Sequence, residues 1–546
     1  MGRVAARIAK HWLAPWSVGL AGLALILVGA RPYAGGWNDG SRLAAVESLL
    51  ERETVRIDNS VFCQPAQSVR HGHPPYSPAA PFGDDLLKNG TRDKLFIDGH
   101  FYSDKPAVIS LLMAAGYRLG EFLGLPRPGE RPDHFCWYLT LLTSGLAYLL
   151  SLLSLYRLGA ILELSRVMCV GWVASCGFAT VALAYTRHVN NHILLLAVIS
   201  SLSLHAVLLA RAIPTGRINI WRLIWIGTLT GVGFNLDLGA GPPLVLAVLG
   251  WAIYRCRRFF PVAIITVAAL PWGVAWLGIN YALGGTWKPI AMVPEFMTWP
   301  GSPFSPANMT GFARADWHKL TYPLELLVGP RGFIFHNLPM LLLLPAFFHL
   351  VRCRSEYRPE LIFAQGWCTA VWLEYGILSN NYSGNACSIR WFVPFLAPNY
   401  LLIAVYLRDC ARQRPIFWAL SAWGTVLSLA LWWQGPWAVR VSPLLWPAVG
   451  AALITWGIMH RRTRAAALLD SRSQSMFDQG TLAERALALS PNPLRPIPNQ
   501  DELAPTAAAG HRHNWRRRLQ RLLLFSTPVS GSGDRPASAA DLSSPG

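Results

Sequence analysis

Charge is what this chain has least of. Only 14% of its 546 residues are Asp, Glu, Lys or Arg, while 53% are hydrophobic and 24 are Trp. A soluble protein of this length exposes more charge than that, so the composition points to a membrane protein. Acids are the scarcer sign, 29 against 48 bases, for a formal net charge of +19. The arginines sit in small groups between apolar runs, where orientation in a bilayer explains them without nucleic acid as a partner. Nine cysteines form no C-x-x-C pair and mostly lie inside apolar runs. Neither a disulfide framework nor a zinc site is therefore indicated, although Cys63 and Cys387 could meet in an oxidising space. No GxxxxGK[ST], no strand-borne GxGxxG, no HExxH and no GxSxG occurs, which leaves nucleotide, dinucleotide, zinc-protease and serine-hydrolase chemistry without support.

Long apolar runs are abundant. Crossing about 30 Å of hydrocarbon takes roughly 20 helical residues. Runs of that kind fall near 12–30, 135–156, 167–185, 192–210, 222–236, 242–254, 259–280, 332–350, 360–378, 391–407, 415–433 and 442–459. The expectation is an all-α polytopic membrane protein with about 12 transmembrane helices. The first run follows Arg3, Arg7 and Lys10 but lacks a clean small-residue cleavage site, so it reads as a retained anchor. Basic residues alternate sides: the amino-terminal group, Arg157 and Arg166, Arg211 to Arg222, Arg255 to Arg258, Arg352 to Arg358, Arg408 to Arg414 and Arg461 to Arg464 share one side, whereas the short loops opposite hold only Arg187, Arg390 and Arg440. That bias places both termini in the cytoplasm of a multi-pass plasma (inner) membrane protein.

The transmembrane domain then spans 1–459, with long outer loops at 31–134 and 281–331. In the first, "SRLAAVESLLERE" (41–53) has helical, amphipathic spacing, and 107–124 is apolar but carries Arg118 and Glu121, as a helix lying in the interface would. Residues 460–546 are too rich in Pro, Ser and Ala to bury a core, and read as a mostly disordered cytoplasmic tail with a basic amphipathic patch at 515–525.

Five polar motifs fall on the outer side: "WNDGSR" (37–42), "DGHFYSDKP" (98–106), "YTRHVNNH" (185–192), "GPRGFIFHNLP" (329–339) and "NNYSGNACSIRWFVP" (380–394). Each has a plain structural reading. Asp39 could cap a helix beginning near Ser41, and Lys105 before Pro106 could be a snorkelling lysine. His188 and His192, four apart, could ligate metal or simply pack. Arg390 sits at an outer helix end against the charge bias, which favours function; Arg331, ending a long loop, is similar.

The ordered set "WNDGSRLAAVESLLERETVRID", "DGHFYSDKPAVISLL", "GPRGFIFHNLPMLLLLPAF" and "SGNACSIRWFVPFLAPNYLL" resembles the successive signatures of bacterial GT-C glycosyltransferases, the protein-mannosyltransferase and aminoarabinose-transferase-like group, over roughly residues 12–410. The resemblance implies transfer of a sugar from a polyprenyl-phosphate-linked donor to an outward-facing envelope acceptor, be it lipid, glycan or protein. It matches Asp39 to the catalytic carboxylate and Lys105 and Arg390 to cations near the donor phosphate. Asp98, Tyr102, Asp104, Arg187, His192 and Arg331 are expected to bind substrate or support the site. Where the family often has an acidic pair this chain has Asn38, Asp39 and Gly40, so no cofactor is assigned and a divalent metal is not favoured. "KPP" is here "KPA", and Asn190, Asn191 and His192 stand where relatives often carry an Asp. The alternatives are a twelve-span transporter or lipid flippase, for which Asp237 is the main candidate acid, and a catalytically silent relative.

Overall fold

A computed structural model describes residues 2–465 except 67–71, 80–82, 314–320, 354, 438–440 and 464, with the backbone alone for 2–15. The tail beyond 465, with its patch at 515–525, and the arginines at 354 and 440 lie outside the described residues. Each apolar run expected to cross the membrane contains a helix. These are α1 (Gly2–Gly29), then, after the first outer loop, α5 (Pro132–Ile161), α6 (Arg166–Phe178), α7 (Asn191–Ala212), α8 (Ile220–Leu236), α9 (Gly241–Cys256), α10 (Phe259–Gly284), α12 (Leu343–Arg352), α13 (Arg358–Ile377), α14 (Leu396–Asp409), α15 (Arg414–Gln434) and α16 (445–463). Among the described residues five helical stretches are long and apolar enough to span a bilayer, including α5 and α10. The stretch Arg390–Asp409, which contains α14, is 94% buried and forms the centre of the bundle; α10, 11% buried, packs one face on α8, where Asn235 donates to the Trp272 carbonyl, and turns the other outward.

Three expectations are corrected. The run 167–185 is not one helix: α6 ends at Phe178, and only the turn Ala182–Tyr185 is helical beyond it. The run 332–350 becomes regular α-helix only at Leu343, after a 3₁₀ turn at Leu338–Leu342 that begins with Leu338-Pro339; proline supplies no N–H to an α-helical ladder. Nor is the fold wholly α. Within the first outer loop lie α2 (Trp37–Arg52), α3 (Gly83–Asn89), an antiparallel hairpin of β1 (Lys94–Ile97) and β2 (His100–Ser103), and α4 (Ala107–Phe122). Leu95 pairs with Tyr102 and Ile97 with His100. The hairpin turns at Asp98 and Gly99, both with positive φ (49° and 81°), the conformation that a two-residue Asp-Gly hairpin loop requires. Leu95, Ile97 and Tyr102 pack on Ile290, Met297 and Met309 of the second outer loop. Lys94 lies 4.2 Å over the Phe101 ring and 5.2 Å from that of Trp299. The hairpin thus ties the two outer loops together. That second loop carries α11 (Thr321–Val328) near its end.

A further irregularity matters for the site. Midway along α5 the segment Leu141–Gly145 is a π-bulge, a feature that re-aims side chains and is frequent at functional sites. It turns Ser144 so that its hydroxyl donates to the carbonyl of His188 (2.7 Å) and accepts from the Asn190 N–H (2.8 Å). Ser144 thus helps to pin the turn between α6 and α7, whose Arg187 carbonyl is also held by the Arg31 N–H at 3.0 Å.

Candidate functional site

The two long loops, 31–134 and 281–331, and the adjoining ends of α7, α8, α9 and α13 line a cavity of about 680 Å³. Asp39, Asp104, Lys105, His192 and Arg390 from the predicted set line it, joined by Arg42, Asp93, Asn191, Asp237, Glu374 and Tyr375, and its apolar walls include Phe234, Leu238, Trp276 and Pro242.

Asp39 is not the cap expected of it. The helix begins at Trp37, two residues after Gly35, and Asp39 lies in its first turn, 1% exposed. Its Oδ2 accepts the Gly35 N–H at 2.6 Å, and its Oδ1 has no hydrogen-bond partner. Burial pushes the carboxyl up from about 3.8 to about 6, against the backbone N–H groups around it and the Arg42 charge, which pull it down. One turn on, Arg42 is 3% exposed, and burial lowers its guanidinium to about 10. α2 is buried on nearly every face, not half-exposed as an amphipathic surface helix would be.

Lys105 follows the hairpin. Its ammonium donates to Asp93 at 3.0 Å and to Asp104 at 2.5 Å, and Ser41 Oγ donates to the other oxygen of Asp104 at 3.0 Å. The lysine charge is therefore already matched inside the protein. Arg42 and Arg390 differ, since among the described residues neither has a carboxylate within ion-pair distance, and both have a buried Nε without a partner. Arg390 follows a loop with three consecutive left-handed residues, Tyr382, Ser383 and Gly384, and a further positive φ at Ser388 (131°). Strain of this kind persists only where the surroundings impose it. Here Ser383 Oγ accepts the Arg390 N–H at 3.1 Å, and the guanidinium lies 5.5 Å over the Trp437 ring.

On the facing wall, Asp237 Oδ1 accepts from the N–H groups of Gly239 and Ala240, both at 3.0 Å, and from Tyr375 OH at 2.8 Å. It caps the entry to α9, and Tyr375 in turn stacks on Trp391 at 4.1 Å. His192 Nδ1 lies 3.4 Å from Asp237 Oδ2 without forming a hydrogen bond. His188 and His192 face different carboxylates, Asp39 and Asp237. Among the described residues no three His, Cys, Asp or Glu side chains converge to hold a metal ion.

Four predicted residues do not line the main cavity. Asp98 is exposed in the hairpin turn. Tyr102 is buried in the hairpin's apolar contact. Arg187 donates to the carbonyls of Trp432 and Trp433 at the end of α15. Arg331 donates to the Gly384 carbonyl at 3.0 Å and lies over the Tyr382 ring, so it braces the strained loop. Cys63 and Cys387 are buried free thiols and do not bridge. Sequence reasoning missed Arg42, although its spacing of three from Asp39 puts both on one helical face. Asp93 and Glu374 gave no local signal.

The fold and site together define a many-helix membrane protein with one chamber, formed by its two long loops and adjoining helix ends, that gathers carboxylates and cations within apolar walls. No family model matches the chain, and no curated protein does. Among solved structures it is similar to ArnT from Cupriavidus metallidurans bound to undecaprenyl phosphate, at 14% identity over 83% of this chain and 76% of that one, with a TM-score of 0.43. The apo form of that ArnT gives a TM-score of 0.44. The apo oligosaccharyltransferase of Archaeoglobus fulgidus is similar at 11% identity, over 84% of this chain and 56% of that one, with a TM-score of 0.43. The likeness to these structures is one of fold.

Proposed function

We propose that the protein transfers a sugar from a polyprenyl-phosphate-linked donor to an outward-facing envelope acceptor, with inversion at the anomeric carbon. One observation carries the reading: a single chamber holds a buried carboxylate with an unpartnered oxygen, Asp39, together with two arginines, Arg42 and Arg390, whose charge no carboxylate of the described residues neutralises at contact distance. A lipid-linked sugar needs a cation for its leaving phosphate, and buried guanidinium groups supply it as charge-assisted hydrogen bonds. The acceptor hydroxyl needs a base, a role worth about 10²–10⁴-fold. Carboxylates outnumber cations around the chamber, but Asp93 and Asp104 are consumed by Lys105, and Asp237 by the α9 entry and Tyr375. Lys105 then forms with its two aspartates a cluster of net charge −1 when both are ionised; it positions the lip, and the ammonium turns to the phosphate as those bonds loosen. The transporter reading rested on Asp237, whose Oδ1 is committed to a helix cap rather than held for a travelling ion.

The test is turnover of a purified polyprenyl-phosphate-sugar in lipid nanodiscs supplied with envelope acceptors. Release of polyprenyl phosphate with an inverted glycoside as product is expected, and Lys105→Ala should act mainly on apparent donor affinity. No consumption of donor, together with solute or lipid flux in proteoliposomes, would replace this reading with the transporter.

A further inference from the structure

We propose that His188 is the positioning residue of Asp39: its Nδ1 lone pair receives the O–H that Asp39 carries once the acceptor's proton has been taken. The inference rests on Asp39 as the base. His188 is 6% exposed and lies behind Asp39, outside the lining of the chamber. Its Nδ1 is 3.6 Å from Asp39 Oδ2 and has no hydrogen-bond partner.

Which nitrogen carries the ring proton follows from the other side of the ring. Tyr33 lies on that side, its ring centroid 5.9 Å from the imidazole's, and its backbone favours protonation of the ring, as a carbonyl near a ring N–H does. The ring proton is assigned to Nε2 on that side, which leaves the unpartnered Nδ1 as the lone pair. Burial, assisted by Arg31, lowers the ring to about 3, so at neutral pH the contact with Asp39 is not an ion pair. A neutral lone pair facing an ionised carboxylate gains nothing and stands off, which suits a 3.6 Å separation. Facing a protonated carboxyl, it accepts a hydrogen bond after a movement of about 1 Å. Which oxygen holds the proton is no obstacle, because the carboxyl torsion is soft and roughly two-fold.

Two constraints place the ring there. Ser144 in the π-bulge holds the His188 carbonyl. Gly35 permits the approach, since a Cβ at that position would sit 2.7 Å from His188 Cε1 and 2.3 Å from Trp437 Cδ1. The charged and titratable groups around the pair are Arg42 on the Asp39 helix, Arg31 and the Tyr33 ring beside His188, and Tyr76 and Cys136 near Asp39.

In the step itself the acceptor O–H bond breaks and its proton goes to Asp39. The freed electron pair forms the bond to the anomeric carbon, and the carbon–oxygen bond to the phosphate breaks with its electrons on the phosphate. His188 stabilises the protonated Asp39 only, which makes the base stronger without adding charge.

Two substitutions separate the two ring nitrogens. His188→Asn places an amide oxygen near Nδ1, and His188→Gln keeps an N–H near Nε2 for Tyr33 but leaves nothing facing Asp39. With a lipid-linked donor, His188→Gln should move the acid limb of kcat/KM down by about one pH unit and lower kcat about 10-fold, whereas His188→Asn should stay within about threefold. A ring that serves only to pack or to hold Tyr33 predicts the reverse order, and that order would overturn the proposal. A second readout needs no turnover: the carboxyl infrared band that Asp39→Asn removes should titrate near pH 6 in the unsubstituted protein, move down in His188→Gln and stay in His188→Asn. An unmoved band in both variants overturns the pairing even if the protein is an active transferase. A moved band in a protein that consumes no lipid-linked sugar upholds the pairing and rejects the function.

Discussion

Replacing Asp39 by asparagine should make the protein more stable and far less active. Folding raises this carboxyl from about 3.8 to about 6. At ~1.4 kcal/mol per pH unit, the ionised form therefore costs about 3 kcal/mol in the folded protein above pH 6. The sign follows from proton binding: between the two values the folded state holds the proton and the unfolded state does not, so stability falls as pH rises through that window and stays low above it. The neutral amide of Asp39→Asn carries no such cost, and its oxygen can still accept the Gly35 N–H that Asp39 accepts at 2.6 Å. Weakening of that charge-assisted bond offsets about 1–2 kcal/mol of the gain. Melting of the purified protein in nanodiscs should show Asp39→Asn ahead at pH 7.5, with the transfer of charge alone worth about 3 kcal/mol there but only about 1 kcal/mol at pH 4.5. The advantage should therefore shrink or change sign on acidification, while turnover at pH 7.5 falls by about 10²-fold or more. A stability difference that ignores pH would refute the buried-charge argument. Turnover near that of the unsubstituted protein would refute Asp39 as the base.

Arg42→Gln should weaken binding of polyprenyl phosphate, read by quenching of tryptophan fluorescence, by about 10-fold or more, with little loss of thermal stability because no ion pair within the described residues is broken; unchanged affinity would remove Arg42 from the phosphate site. Cys353 is exposed whereas Cys63 and Cys387 are buried, so a membrane-impermeant maleimide should label Cys353 in inside-out vesicles and not in right-side-out ones, and labelling from the outer face would reverse the assigned orientation.

Much of the helical scaffold was legible along the chain because apolar runs and turn residues act locally. α7 and α10 are continuous apolar stretches, and a helix in hydrocarbon satisfies its backbone within itself. The positions of Asp39, Lys105 and Arg390 at the ends of such runs were legible for the same reason. The hairpin at 94–103 escaped because four-residue strands in a polar stretch show too little alternation, and its turn is decided by two positive φ values. The true start of α2 escaped as well, and with it the burial of Asp39 and Arg42. What only the tertiary structure decided is which charges remain available. Lys105 reads in the sequence as a free cation, yet Asp93, twelve residues earlier, and Asp104 neutralise it, while Arg42 reads as an ordinary helix arginine and proves buried without an ion partner among the described residues. Likewise nothing in "YTRHVNNH" tells that one histidine meets an acid following the first helix and the other an acid at the end of α8. Local sequence specifies helices and their ends, but desolvation and charge pairing depend on atoms brought together from distant segments, and those two quantities determine which polar residues can do chemistry.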